Sequence, residues 1–245
     1  MKIEIAVSCH FYQRRLCWFL SSLLEQEGDI PDILVNVAYV ENTGAPSTKD
    51  VLDFFTGKGL DIKHTPYPDQ SIFQYRGLVR NRAIEETNAD YLFFADCDMV
   101  WHPQTLMKLH TYLHACPDTD TCMTSGRRST SLGPTKELVD SITYPTAITR
   151  PYELVYHGLS HVRRANIGAG FCQIASIAAI VKKNNGRYVD PLKNRDWGWH
   201  KGQKAKSDQQ FRKAMGGITK VALPPFIHLQ HERDNQVGYH IEVQR

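Results

Sequence analysis

The sequence predicts an α/β fold: a mainly parallel, Rossmann-like sheet with helices on both faces, followed by a smaller β/α portion. Two observations predict it. Through the first 115 residues short apolar runs alternate with longer amphipathic segments, the rhythm of right-handed strand–helix–strand crossovers. The run Tyr91-Leu92-Phe93-Phe94-Ala95 is apolar without alternation, as in a strand covered on both faces.

Residues 3–8 form the first strand. An amphipathic helix over 13–27 follows, with Leu16, Phe19, Leu20, Leu23 and Leu24 along one side. Residues 33–40 are the second strand, closed by the turn-forming Glu41-Asn42-Thr43-Gly44. A helix over 47–56, a short strand over 61–64 and a helix over 71–87 lead to the strand at 91–95. The next helix opens near Pro103, where proline suits the first turn. From about residue 116 the rhythm changes. A strand at 121–125 is followed by a polar, glycine-containing stretch at 126–134, strand-like runs at 147–155 and 160–166, and a helix at 173–183. Residues 184–207 read as one loop rich in Gly, Asn, Lys and Trp, and a loop of that length is usually functional or disordered. With no repeat and no linker, the chain reads as a single domain.

Composition narrows the function classes. A hydrophobic share of 42% and a charged share of 22% are ordinary for a soluble protein. A net charge of +3 is too small to announce a nucleic-acid or membrane partner. The charge is uneven, however: from 192 to 213 seven basic residues stand against Asp196 and Asp208. The six cysteines include no C-x-x-C pair, which reads as reduced thiols. No apolar run approaches the ~20 residues of a membrane span; the longest, 171–181, reads as a core helix. The first residues run straight into a strand, so a cytoplasmic location is expected.

In parallel sheets ligands bind beyond the carboxyl ends of the strands. That restriction selects Ser8 to His10, Glu41 to Thr43, and Asp96-Cys97-Asp98. In an extended chain residues i and i+2 point to one side, so Asp96 and Asp98 can face one ligand. Paired carboxylates suit Mg²⁺ or Mn²⁺, which favour diphosphate oxygens. Arg76 and Arg80, four apart, share a helix face. Two guanidiniums so placed repel unless an anion or carboxylate stands between them, and a diphosphate is a natural candidate.

The run Gly77-Leu78-Val79-Arg80-Asn81-Arg82-Ala83-Ile84, then Ala89-Asp90-Tyr91-Leu92-Phe93-Phe94-Ala95-Asp96-Cys97-Asp98, resembles the family 2 glycosyltransferases of GT-A fold. There a G-x-x-x-R-N helix precedes a strand ending in a metal-binding D-x-D. The resemblance runs from Ile3 to about His228 and is strongest over 77–103. It implies a nucleotide-binding half (1–115) and an acceptor half (116–245). It implies Ser8, His10 and Glu41 at the nucleoside, and Asp96 with Asp98 on Mn²⁺ or Mg²⁺. Glu41-Asn42-Thr43 departs from the aspartate-led pattern usual in the family. Ile167-Gly168-Ala169-Gly170-Phe171 resembles the stretch that approaches donor sugar and acceptor, where Gly168 and Gly170 permit close backbone contact. Asp208, in Ser207-Asp208-Gln209-Gln210, takes the position of the base that deprotonates the acceptor hydroxyl; Ser207 stands where a second acidic residue is usual. Asp208 also suits a plain helix-start carboxylate. His228, ending Pro225-Phe226-Ile227-His228, matches a third metal ligand or phosphate contact. Trp197 and Trp199, flanking Gly198 in the basic loop, suit an acceptor lid that stacks on a sugar or base.

The implied activity is metal-dependent transfer of a sugar from a nucleotide-diphosphate sugar to an acceptor hydroxyl, with inversion. The acceptor would be a glycan or lipid-linked carrier, with nucleic acid as the alternative that the basic loop raises. Two rivals come from other classes. Asp96-Cys97-Asp98-Met99-Val100 also fits the D-x-D-x-[TV] of a haloacid-dehalogenase-type phosphohydrolase, although that motif belongs on a first strand. A catalytically silent nucleotide-binding module is the other.

Overall fold

The structure is a computed structural model that describes residues 1–10, 12–41, 46–68, 76–124, 127–159, 163–164, 172–188, 207–217 and 219–230. In chain order the elements are β1 (Lys2–Cys9), α1 (Gln13–Leu24), β2 (Asp32–Val40), α2 (Thr48–Gly57), β3 (Ile62–Tyr67), α3 (Arg76–Glu86), β4 (Tyr91–Asp96), β5 (Met99–Val100), α4 (Thr105–Ala115), β6 (Thr121–Thr124), β7 (Arg127–Ser129), α5 (Leu132–Asp140), α6 (Pro151–Gly158), β8 (Arg163–Arg164), β9 (Cys172–Ser176), α7 (Ile177–Asn184), α8 (Ser207–Ala214), β10 (Thr219–Val221) and β11 (Phe226–His228).

Seven strands form one sheet in the order β10-β6-β9-β4-β1-β2-β3. The β3-β2-β1-β4 stretch is parallel throughout, and only β9 runs against its neighbours. The pleat of β1 explains why both faces are covered. Ile3, Ile5, Val7 and Cys9 point into a core with Leu16 and Leu20 of α1, Leu52 and Phe55 of α2, and Leu106 and Leu109 of α4. Ala6, with Leu92 and Phe94 of β4, faces Ala83 and Ile84 of α3, Ile180 of α7, Phe211 of α8 and Met215 just past it. Helix α2 starts at a capping box: the Ser47 hydroxyl accepts from the Asp50 amide (3.1 Å), and the Asp50 carboxylate accepts from the Ser47 amide (2.9 Å).

One polar ladder crosses this apolar interior. Glu4, 1% exposed, accepts from Asn36 Nδ2 at 2.7 Å and from Thr87 Oγ1 at 2.6 Å, while Asn36 Oδ1 accepts from Thr65 Oγ1 at 2.7 Å. Burial is tolerated because every contact is a hydrogen bond.

A second sheet, β5-β11-β7-β8, stands beside the first. Trp101, fully buried, joins them: its ring lies 4.6 Å from Phe93 of the large sheet, 5.1 Å from Phe226 of the small one and 5.8 Å from Phe19 of α1. Outside the small sheet α5 and α6 pack Val139, Tyr152 and Val155 against Val100 and Ile227.

The first half follows the sequence reading; the second corrects it in places. The strand expected over 147–155 gives way to helix α6. Pro151 starts it, Glu153 sits in its first turn, and Tyr152, Val155 and Leu159 are buried at helical spacing. The helix expected over 173–183 begins as β9, because Cys172–Ser176 pairs with both β4 and β6 before Ser176 caps α7. The same pairing corrects the core helix expected over 171–181. Helix α5 and strands β5 and β7 fall where no regular element was expected. Of the strand expected over 160–166, only residues 163–164 are among those described, as β8. All six cysteines are free thiols. Among the described residues no helix is long and apolar enough to cross a membrane.

Candidate active site

The carboxyl ends of β1, β2 and β4 lie side by side. Ser8 of β1 is in register with Asp96 of β4 on one side and Ala38 of β2 on the other. His10 follows β1 and is half-buried; Glu41 follows β2 and is exposed. The alternation that would turn Asp96 and Asp98 to one side does not carry through. Strand β4 ends at Asp96, and Cys97 and Asp98 form a turn into β5.

That turn carries the chain from the large sheet to the small one, and β5 pairs antiparallel with β11, Met99 opposite His228. The Leu229 amide donates to the Asp98 carbonyl at 2.8 Å. His228 Nε2 thereby stands 3.1 Å from Asp98 Oδ2, and its Nδ1 lies 3.2 Å from the hydroxyl of Ser129 on β7. Both partners are mostly buried, with side-chain exposures of 17% and 12%. Two ligands held cis at about 2.1 Å by an octahedral cation stand roughly 3 Å apart. A carboxylate–imidazole pair is chemistry that Mn²⁺ accepts. A hydroxyl on the far ring nitrogen is the kind of outer contact that orients a ligating imidazole. Among the described residues no three such side chains stand together as a ready metal site, so the geometry brings together the Asp98–His228 pair and leaves Asp96 adjacent in sequence only.

A second polar cluster lies on the α3 face. Arg80, 8% exposed, is bonded to Asp208, the second residue of α8, and donates to the Tyr188 hydroxyl at 2.5 Å. Its guanidinium also sits over the rings of Phe94 (5.4 Å) and Tyr188 (4.8 Å). Burial opposes its charge, but Tyr188, Asp208 and Asp96 outweigh it and hold the guanidinium protonated. The anion that stands opposite Arg80 is thus the carboxylate of Asp208. Arg82, on another side of α3, bonds Glu86 at 2.6 Å and covers Tyr67.

Tyr188 and Gln173 belong to this cluster and were not singled out by sequence. The Tyr188 hydroxyl lies 2.6 Å from Asp208 Oδ1 and 3.0 Å from Gln173 Oε1. Gln173 is fully buried opposite Phe94. A glutamine inside an apolar run was the available signal, since a buried amide requires partners. Tyr188 sat inside a segment read as loop and gave none. Arg76 opens α3, with its side chain outside the described residues; Gly168, Gly170, Trp197 and Trp199 lie outside them altogether.

No family model matches the chain, and neither does any curated protein. Solved structures do. S. aureus TarS matches with a TM-score of 0.62 at 15% identity, over 93% of this chain and 36% of that one. TarS 1–349 in complex with UDP also matches at 0.62 and 15% identity, over 96% of this chain and 61% of that one. The mannosyltransferase PcManGT from Pyrobaculum calidifontis, in complex with GDP-Man and Mn²⁺, matches at 0.55 and 13% identity, over 97% of this chain and 58% of that one. The chain spans less than two thirds of the length of each of these neighbours. At such identity the likeness is one of fold, and the chain has the GT-A-type α/β architecture that these glycosyltransferases share.

Proposed function

We propose that the protein transfers a sugar from a nucleotide-diphosphate sugar to an acceptor hydroxyl, with inversion and with a divalent cation. The observation that carries this reading is the meeting of Asp98 and His228 in the turn just past Asp96, the carboxyl end of a parallel strand. It is supported by a fold shared with proteins whose structures hold UDP, UDP-GlcNAc, or GDP-Man with Mn²⁺.

Asp96, Asp98 and His228 would hold Mn²⁺ or Mg²⁺, which neutralises charge on a departing diphosphate. Ser8, His10 and Glu41 are assigned to the nucleoside and Arg76 to the phosphate side, while Arg80, bonded to Asp208, holds the base rather than the phosphate. Gly168 and Gly170 are assigned to the donor sugar, and Trp197 and Trp199 to a lid over the acceptor. Asp208 accepts the acceptor hydroxyl's proton as that oxygen bonds to the anomeric carbon. The bond from that carbon to the diphosphate oxygen breaks, and its electron pair leaves with the diphosphate. Residues 1–115 are the nucleotide half and 116–245 the acceptor half of one domain, with a glycan, a lipid-linked carrier or nucleic acid as acceptor.

A thermal-shift screen of UDP, GDP, UDP-GlcNAc and GDP-mannose, with and without Mn²⁺, tests the reading. At about 100 times the dissociation constant a ligand adds about 2.7 kcal/mol, roughly 5–10 °C in a chain of this size. A shift that requires both nucleotide and Mn²⁺, with Mn²⁺-dependent release of the nucleoside diphosphate, supports the transferase. Binding without turnover points to the silent module. Phosphate release from p-nitrophenyl phosphate would point to the phosphohydrolase.

A further inference from the structure

The buried cluster around Arg80 contains a group that the reaction as described does not use. Tyr188 is fully buried, stacked on Phe211 at 4.2 Å and edge-on to Phe94 at 4.8 Å. A phenylalanine would fill that slot equally well. A buried hydroxyl is costly unless bonded, and this one has three neighbours, all polar: Arg80 Nη1, Asp208 Oδ1 and Gln173 Oε1. It accepts from Arg80 and has one proton to give. The carboxylate is nearer than the amide, 2.6 Å against 3.0 Å, and charged, so it takes that proton. Burial also pushes the phenol well above its ordinary range, so it stays a donor.

The residue is pinned at its other end too. Its backbone amide donates to Asn81 Oδ1 at 2.6 Å, so Arg80 and Asn81, adjacent on α3, hold the hydroxyl and the main chain of one tyrosine. Arg80 and Tyr188 both reach Asp208 through Oδ1. Among the described residues no partner stands at Oδ2, which is the oxygen left to take a proton.

We propose that Tyr188 is a positioning residue: its hydroxyl, braced by Arg80, fixes the rotation of the Asp208 carboxylate so that one oxygen is occupied and the other serves the acceptor. This rests on Asp208 being the base of the transfer proposed above. A base held within a narrow angle raises turnover without changing affinity for the donor.

The test compares wild type with Tyr188→Phe in Mn²⁺-dependent hydrolysis of UDP-GlcNAc and GDP-mannose, water serving as acceptor. The expected result is a fall in kcat of about tenfold or more with KM for the donor within about twofold. A variant with unchanged kcat overturns the proposal, as does one whose KM rises while kcat stands. Melting temperatures of Tyr188→Phe, Asp208→Asn and the double variant provide a readout independent of turnover. The two single losses should fail to add by about 2–4 °C; additivity overturns the contact itself. Non-additive melting with a wild type that hydrolyses neither donor would instead overturn the transferase reading, and the positioning role with it.

Discussion

Asp98 and His228 are 130 residues apart in sequence, yet their side chains meet at 3.1 Å because β5 and β11 pair with Met99 opposite His228. Asp98→Ala should abolish the Mn²⁺-dependent part of donor binding and turnover. His228→Ala should weaken Mn²⁺ by about 10–100-fold, and Ser129→Ala by less, as expected when a ligand and its outer contact are removed. Titration calorimetry with Mn²⁺ and UDP checks the order; equal affinity in all three variants and the wild type would remove the cation from this corner.

Asp208→Asn should keep nucleotide affinity within about twofold and lower turnover by about 10²-fold or more, the range for a lost general base. Arg80→Met is expected to act differently. It strands a partly buried carboxylate, so stability should fall by about 3 kcal/mol, read as a lower urea midpoint. An Asp208→Asn enzyme that turns over normally would move the base elsewhere.

Glu4→Leu should cost about 2–3 kcal/mol, since it leaves the Asn36 amide and the Thr87 hydroxyl buried without their acceptor. Glu4→Gln should cost less, because the amide oxygen can still accept one of the two bonds. Urea denaturation of the pair is the check.

His102 gives stability a pH dependence of known sign. Burial, with Lys108 behind it, lowers its pKa from the ordinary 6.5, and its Nδ1 accepts from the Gln104 amide. The unfolded chain therefore binds the proton more readily than the native one. Its contribution is complete above about pH 6.5 and is lost as pH falls from there through the lower folded value. In His102→Gln that part of the acid limb should flatten, while a variant that parallels wild type between pH 6.5 and 5 would assign the slope to other groups.

Of the six thiols, only Cys116 is exposed. Burial pushes Cys17 and Cys122 up to about 12, far from the thiolate that reacts. A disulfide reagent at pH 8 should therefore modify one thiol at once and the others on unfolding, and Cys116→Ser should erase the fast phase.

The parallel sheet was legible because its strands are buried on both faces and therefore apolar without interruption, as in Tyr91-Leu92-Phe93-Phe94-Ala95. The helix expected over 47–56 is α2, Thr48–Gly57, whose start is fixed locally by Ser47 and Asp50. The second half was less legible because its elements are short and defined by partners distant in sequence. Strand β5 is two residues long and exists through β11; Cys172–Ser176 is a strand through β4 and β6, although Ala178, Ala179 and Ile180 just beyond it favour a helix. The candidate site divides the same way. Asp96, Asp98 and Asp208 announce themselves as charges at element ends and Arg80 as a charge paired with Arg76 at helical spacing, whereas Tyr188 is one aromatic among several in a segment without periodicity. Its role is visible only when α3, β9 and α8 converge on its hydroxyl.

Consecutive strands β4 and β5 belong to different sheets, so the three residues from Asp96 to Asp98 are the seam between two layers. Whatever grips both carboxylates clasps both layers at once, much as a rivet does. Loading that seam should slow amide exchange far from it, in β7 and β8 as much as in β1.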